Sequence, residues 1–137
     1  MTETDIRWKQ RFENLDQALL RLLKTQKAFS KTEDPELLRI ALIGAFMFTF
    51  ELSWKTLKDF LNYEGIQVTF PREVIKQAFQ YGLIEDGELW IRMLESRNIM
   101  SHAYDEAVAI EVSKSILESY LPAFEKLHHV LNSRLGK

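Results

Sequence analysis

The chain reads LESRNIMSHAYDE from Leu94 to Glu106, which sets Arg97, Asn98, His102 and Tyr104 among acids. Histidine titrates near neutral pH and serves as general base or general acid. Arginine stays cationic and offers a planar fork that fits phosphate oxygens. Together they suit cleavage of RNA by its own 2′-hydroxyl. His102 would move the proton, while Arg97 would hold the scissile phosphate and stabilise its extra charge. One histidine does not readily act as base and acid at once, so a symmetric pair of chains would supply a second Arg97 and a second His102. The plainer alternative is a solvated histidine beside a surface ion pair, because short motifs carry a high rate of chance matches.

Spacing constrains both readings. Arg97 and His102 are five residues apart, about 140° around a regular helix, and do not share a face. Asn98 and His102 are four apart and do, which places Asn98 to orient the imidazole. Arg97 joins them if the helix loosens after Met100 or if a second copy of the motif faces the first. Asp105 is a good N-cap for a new helix, so a break near 103–105 is expected.

The elements that must position these residues are helical. Phe12, Leu15, Leu19, Leu22 and Leu23 recur at three- and four-residue steps and predict a first helix over roughly 5–30. Asp34 and Pro35 then suit the cap and first turn of a helix running to about residue 63, before Gly65. GIQVTFPREV is a connector too short and isolated for a sheet, and Pro71 restarts a short helix that stops near Tyr81 and Gly82. Asp86 caps a fourth helix, and a last one runs from about 106 to 132 with a kink expected at Pro122. The pattern predicts an all-α bundle of four to five helices, forming a single domain over 1–137.

Composition sets the outer limits. With 46% hydrophobic residues the chain is too apolar for disorder, and with no cysteine it has no disulfide, thiol nucleophile or thiolate metal site. The charged start MTETDIRWKQRF has no apolar core like a signal peptide, so a cytoplasmic location is expected. The apolar run ALIGAFMFTF, Ala41 to Phe50, is about half the length that spans a bilayer and meets Glu51, so no membrane partner is expected. A net charge of −2 argues against a broad basic face for nucleic acid and leaves any RNA contact to a local site or an oligomer.

Glu51 interrupts the most apolar helix, and a buried carboxylate there needs a partner. It either meets Arg97 or His102 and tunes the site, or pairs with Lys55 one turn on. Phe46, Phe48, Phe50 and Trp54 read mostly as core, with enough aromatic surface to favour a subunit interface. His128 and His129 diverge by about 100° on a helix and make a poor chelate, so neither a metal nor any other cofactor is expected. No glycine-rich phosphate loop is present, and the paired acids of a metal-dependent nucleotidyl transfer are not evident.

Beyond the local chemistry, RNIMSH resembles the Arg-polar-three-His signature of the HEPN superfamily, and HAY resembles its extended form with a tyrosine two residues after the histidine. FTFELSWKTLKDFL, PREVIKQAF, GLIEDGELWIRMLESRN and SHAYDE are similar to the nucleotidyltransferase substrate-binding branch, across about residues 40 to 106. The resemblance implies an antiparallel helical bundle that dimerises and works with a separate minimal nucleotidyltransferase. It further implies a metal-independent ribonuclease toxin acting on RNA, with Arg97 and His102 catalytic, Asn98 assisting and Glu51 part of the motif. In related pairs the transferase silences the toxin by attaching AMP to the motif tyrosine, here Tyr104. The other role implied for this branch is a non-catalytic subunit that presents a nucleotide substrate to the transferase.

Overall fold

The computed structural model describes residues 2–136. The helices are α1 (Glu3–Phe29), α2 (Pro35–Tyr63), α3 (Pro71–Gln80), α4 (Gly87–Met100), α5 (Glu106–Ser115) and α6 (Leu121–Asn132). A π-helical turn, Ile116–Tyr120, joins α5 to α6. The backbone stays right-handed helical through that join, so α5, the π turn and α6 form one interrupted rod. The result is an all-α bundle of five rods, and no strand occurs among the described residues.

The packing partners give the directions. Trp8 meets Phe60, Arg11 meets Asp59, and Thr49 reaches the carbonyl of Ala18. Positions rise on α1 as they fall on α2, so the pair is antiparallel. Ser96 meets Tyr120 and Trp90 meets Phe124, so α4 runs antiparallel to the rod of α5 and α6 in the same way. Helix α2 is central: α1, α3, α4 and α5 all pack on it. By length and a mean hydropathy of 1.5 over one window, α2 is also apolar enough to cross a membrane. In this fold its Leu42, Ile43, Phe46, Phe50, Leu57 and Phe60 make the middle of the core.

Polar residues on α2 are satisfied locally. Thr49, Ser53 and Thr56 are fully buried, and each hydroxyl donates to the carbonyl four residues back, at 2.7, 2.8 and 2.6 Å. Such back-bonding lets small polar side chains sit in a helix interface without an orphaned donor. Phe46, Phe50 and Trp54 are buried as expected, but Phe48 is 61% exposed. The reason is angular: Phe48 lies about 200° round the helix from both Phe46 and Phe50.

The helix ends differ in kind. Helices α2 and α3 both close on a glycine with positive φ, Gly65 at 89° and Gly82 at 83°. Ile66 N–H then donates to Leu61 O, and Leu83 N–H to Ala78 O, each the long bond of a Schellman stop. The kink expected at Pro122 takes the form of the π turn. Proline has no N–H and its ring crowds the carbonyl four residues back. The chain widens just before it, and Leu121 N–H donates to Ile116 O, five residues back. Helix α4 has no glycine stop: its C-cap Ser101 stays at φ −78°.

Candidate active site

Arg97 occupies the last turn of α4 and points to α2. Its Nε donates to Glu51 Oε1 at 2.6 Å, and Nη2 contacts the same oxygen. Its Nη1 donates to Asn98 Oδ1 at 2.8 Å. The guanidinium lies 6.0 Å above the Phe50 ring, so an apolar floor supports a cation whose edge is fixed by acceptors. Nε and Nη1 are hydrogen-bonded and Nη2 lies against the Glu51 carboxylate, so only the outward N–H groups of Nη1 and Nη2 are left to meet an anion. Arg97 is 23% exposed and Glu51 33%, which sets the pair at the rim of the bundle rather than inside it.

Glu51 therefore makes both contacts the sequence left open, to Arg97 and to Lys55. One oxygen takes Arg97, and the other accepts from Trp54 Nε1 at 3.1 Å and has Lys55 Nζ at 3.8 Å. The indole bond was not foreseen: Trp54 reads as core, although its three-residue step from Glu51 puts the two on one face. The cluster carries two cations on one carboxylate, a local positive excess on a chain whose net charge is −2.

The break expected near 103–105 is present. Ser101 N–H donates to Arg97 O and His102 N–H to Ile99 O, a tightened final turn. Ser101 Oγ caps the Asn98 carbonyl at 2.9 Å. Asp105 Oδ1 then accepts from Val108 N at 3.0 Å and starts α5. Only His102, Ala103 and Tyr104 lie between the two caps, and all three are exposed. The expected pairing of Asn98 with His102 does not occur. The four-residue rule holds only inside a helix, and His102 lies two residues past the end of α4, so the Asn98 oxygen accepts from Arg97 instead.

The remaining histidines sit elsewhere. His128 Nε2 lies 2.7 Å from Asp16 Oδ1, with its ring 5.0 Å from Phe12, and ties α6 to α1. No group of three or more potential metal ligands occurs among the described residues. A cavity of about 140 Å³ lies at the other end of α4, lined by Leu83, Asp86, Trp90, Ala123 and Leu127. It is well below the size of an ordinary small-molecule site. The chemistry-bearing residues are thus on a surface, beside an uncovered apolar stripe of α2: Leu37, Ala41, Gly44 and Phe48 are all exposed.

Comparison with known proteins agrees with this fold. The family described as nucleotidyltransferase substrate binding protein like matches residues 10–133. A probable ribonuclease HepT of Haemophilus influenzae is 34% identical over 79 residues, 54% of either chain, so the match spans about half the length of that curated relative. A solved Haemophilus influenzae structure, described as the fold of a substrate binding domain of a nucleotidyltransferase, superimposes with a TM-score of 0.76 at 28% identity. That match covers 88% of this chain and 98% of the other. A tri-AMPylated HEPN toxin of Shewanella oneidensis, solved in complex with an MNT antitoxin, shares the fold at 16% identity and a TM-score of 0.74, over 97% of this chain and 99% of its own. Its low identity speaks for the fold alone. The family match extends over nearly the whole chain and includes Glu51, Arg97, His102 and Tyr104: this protein belongs to the family described as nucleotidyltransferase substrate binding protein like.

Proposed function

We propose that the chain is the HEPN-type toxin of a toxin–antitoxin pair, a metal-independent ribonuclease that acts through Arg97 and His102. One observation carries the reading: Arg97 is held by Glu51 and Asn98 directly before a three-residue exposed loop that presents His102 and Tyr104 between two capped helices. His102 takes the proton from the RNA 2′-hydroxyl, whose oxygen attacks the adjacent phosphorus. Arg97 stabilises the charge on the phosphoryl oxygens, and the 5′-oxygen leaves with a proton. The His102 of a second copy supplies that proton. Leu37, Ala41, Gly44 and Phe48 lead by four- and three-residue steps to Glu51, and a side chain at Gly44 would meet open space beyond its own helix. A second copy covering that stripe sets two sites side by side. Light scattering should then give twice 16.1 kDa, and a single-chain mass would rule the shared groove out.

The partner is a minimal nucleotidyltransferase that transfers AMP from ATP to the Tyr104 hydroxyl and releases pyrophosphate. Tyr104 is 44% exposed, and an adenylate there adds bulk and negative charge where RNA phosphate must approach. The AMP carried by the Shewanella toxin beside its antitoxin supports this reading. Incubation with the transferase and ATP should add the mass of AMP to the parent and none to Tyr104→Phe; an adduct on the variant identifies another acceptor.

The decisive test is RNA degradation in EDTA by the parent, His102→Ala and Arg97→Ala. Each substitution should lower the rate by roughly 100-fold or more, in the range for loss of a general base or of a donor to developing charge. Equal rates in all three would remove the catalytic assignment. One observation favours a second reading, a subunit that presents substrate to the transferase: Glu51 and Asn98 already occupy part of the Arg97 fork. That reading expects no cleavage by the parent and a slower transferase reaction without this chain.

A further inference from the structure

Ser96 stands one residue before Arg97 on α4, and its Oγ lies 2.8 Å from the hydroxyl of Tyr120. Tyr120 is buried and is the last residue of the π turn. Its ring stacks on Phe46 with centroids 5.2 Å apart and planes at 23°. Phe46 packs on Phe50, at 6.2 Å, and Phe50 is the ring beneath the Arg97 guanidinium. Two routes therefore lead from one tyrosine to one arginine. The hydroxyl route passes through Ser96 to the backbone of the last turn of α4. The ring route passes through Phe46 and Phe50 to the floor of the guanidinium.

We propose that Tyr120 and Ser96 are positioning residues for Arg97, and that the π turn is the device that seats Tyr120 against α4. Neither side chain hydrogen-bonds to Glu51, Arg97 or Asn98, yet both bear on where Arg97 stands. The geometry has a physical reason. A serine inside a helix ordinarily bonds back to its own backbone or to water. Here a half-buried serine meets a buried phenol and supplies the partner that the phenol needs away from water. Helix α4 has no glycine stop and ends on exposed residues, so its last turn is the one most free to fray. The contact from Tyr120 fastens that turn one residue before the functional arginine. Pro122 disturbs the helix, the distortion is taken up as the π turn just before it, and π turns are frequent at functional sites.

The test separates this role from simple packing and from the nuclease reading on which its kinetic arm rests. Tyr120→Phe keeps the ring and deletes the hydroxyl; Ser96→Ala deletes the other half; Ser96→Thr restores a hydroxyl at the same place. The NMR order parameter of the Arg97 Nε–H bond is read in each, with the melting temperature. Loss of the contact should lower that order parameter in Tyr120→Phe and Ser96→Ala, and Ser96→Thr should recover it. RNA cleavage should fall about three- to tenfold in kcat with KM unchanged, and the double variant should be no worse than either single one. An Arg97 signal unchanged in both deletion variants overturns the proposal whatever the melting temperatures do. Altered Arg97 order with unchanged kcat in a cleaving parent also overturns it, since the contact would then be structural only. A parent that cleaves no RNA, with Arg97 loosened in both variants, supports the positioning role and defeats the nuclease reading instead.

Discussion

Two arginines grip α2 from neighbouring helices, and they do so differently. Arg11 on α1 donates from Nε to Asp59 Oδ2 at 2.9 Å, and Asp59 is only 5% exposed. Arg97 on α4 donates from Nε to Glu51, but there the carboxylate is open to solvent and shared with Trp54 and Lys55. In the first pair the acid is inside and needs its cation. In the second both members are half-buried at the rim and the arginine is slightly the more sheltered, lying on Phe50 with part of its fork unspent. A buried carboxylate with a single basic partner marks a fastener. An ordered cation at a rim, on the helix that leads into an exposed histidine and tyrosine, fits the anion-receiving role proposed for Arg97. The same residue types thus separate by which partner is dry and by what lies beside them.

The comparison breaks most visibly at Asp59. Asp59→Ala leaves Arg11 without its acid, and the usual cost of splitting a buried pair is about 3–5 kcal/mol. The Arg11 head is 38% exposed and can regain water. The expected loss is therefore smaller, about 2 kcal/mol, or a fall of roughly 8 °C in melting temperature for a chain of this size. RNA cleavage per folded molecule should not change. Equal stability in parent and variant would mean that the pair does not fasten α1 to α2.

Sequence carried much of this contrast, and its limits have physical causes. Asp34, Asp86 and Asp105 each accept the backbone N–H three residues on, so the helix starts could be read from local chemistry. Gly65 and Gly82 announced two ends because positive φ selects glycine. The bracket around His102 was equally local, and the loosening after Met100 that frees it from the face of α4 is present. The partner of Asn98 was misread because the four-residue rule assumes that the helix continues. The links of Arg11 to Asp59 and of Asp16 to His128 span 48 and 112 residues, beyond any periodicity. Proline at 122 signalled a distortion, but whether a helix kinks or widens depends on what its side chains must reach, and that is set by α2 and α4.

Glu51→Gln sharpens the other half of the comparison with a smaller effect on the fold. The amide oxygen can still accept from Arg97 or Trp54, but the charge that holds the guanidinium is gone. Both members are partly in water, where an ion pair adds at most about 1 kcal/mol, so the melting temperature should move less than in Asp59→Ala. Cleavage is where the loss should appear. An arginine held by a neutral acceptor samples more orientations, and a misplaced donor stabilises the transition state less well; a fall of about tenfold in kcat is expected. The opposite result is also informative. If Glu51→Gln raises RNA affinity and leaves kcat intact, the carboxylate competes with phosphate for Arg97 rather than aiming it. If it destabilises the chain as much as Asp59→Ala and leaves cleavage per folded molecule unchanged, the two pairs are both fasteners and the distinction between them fails.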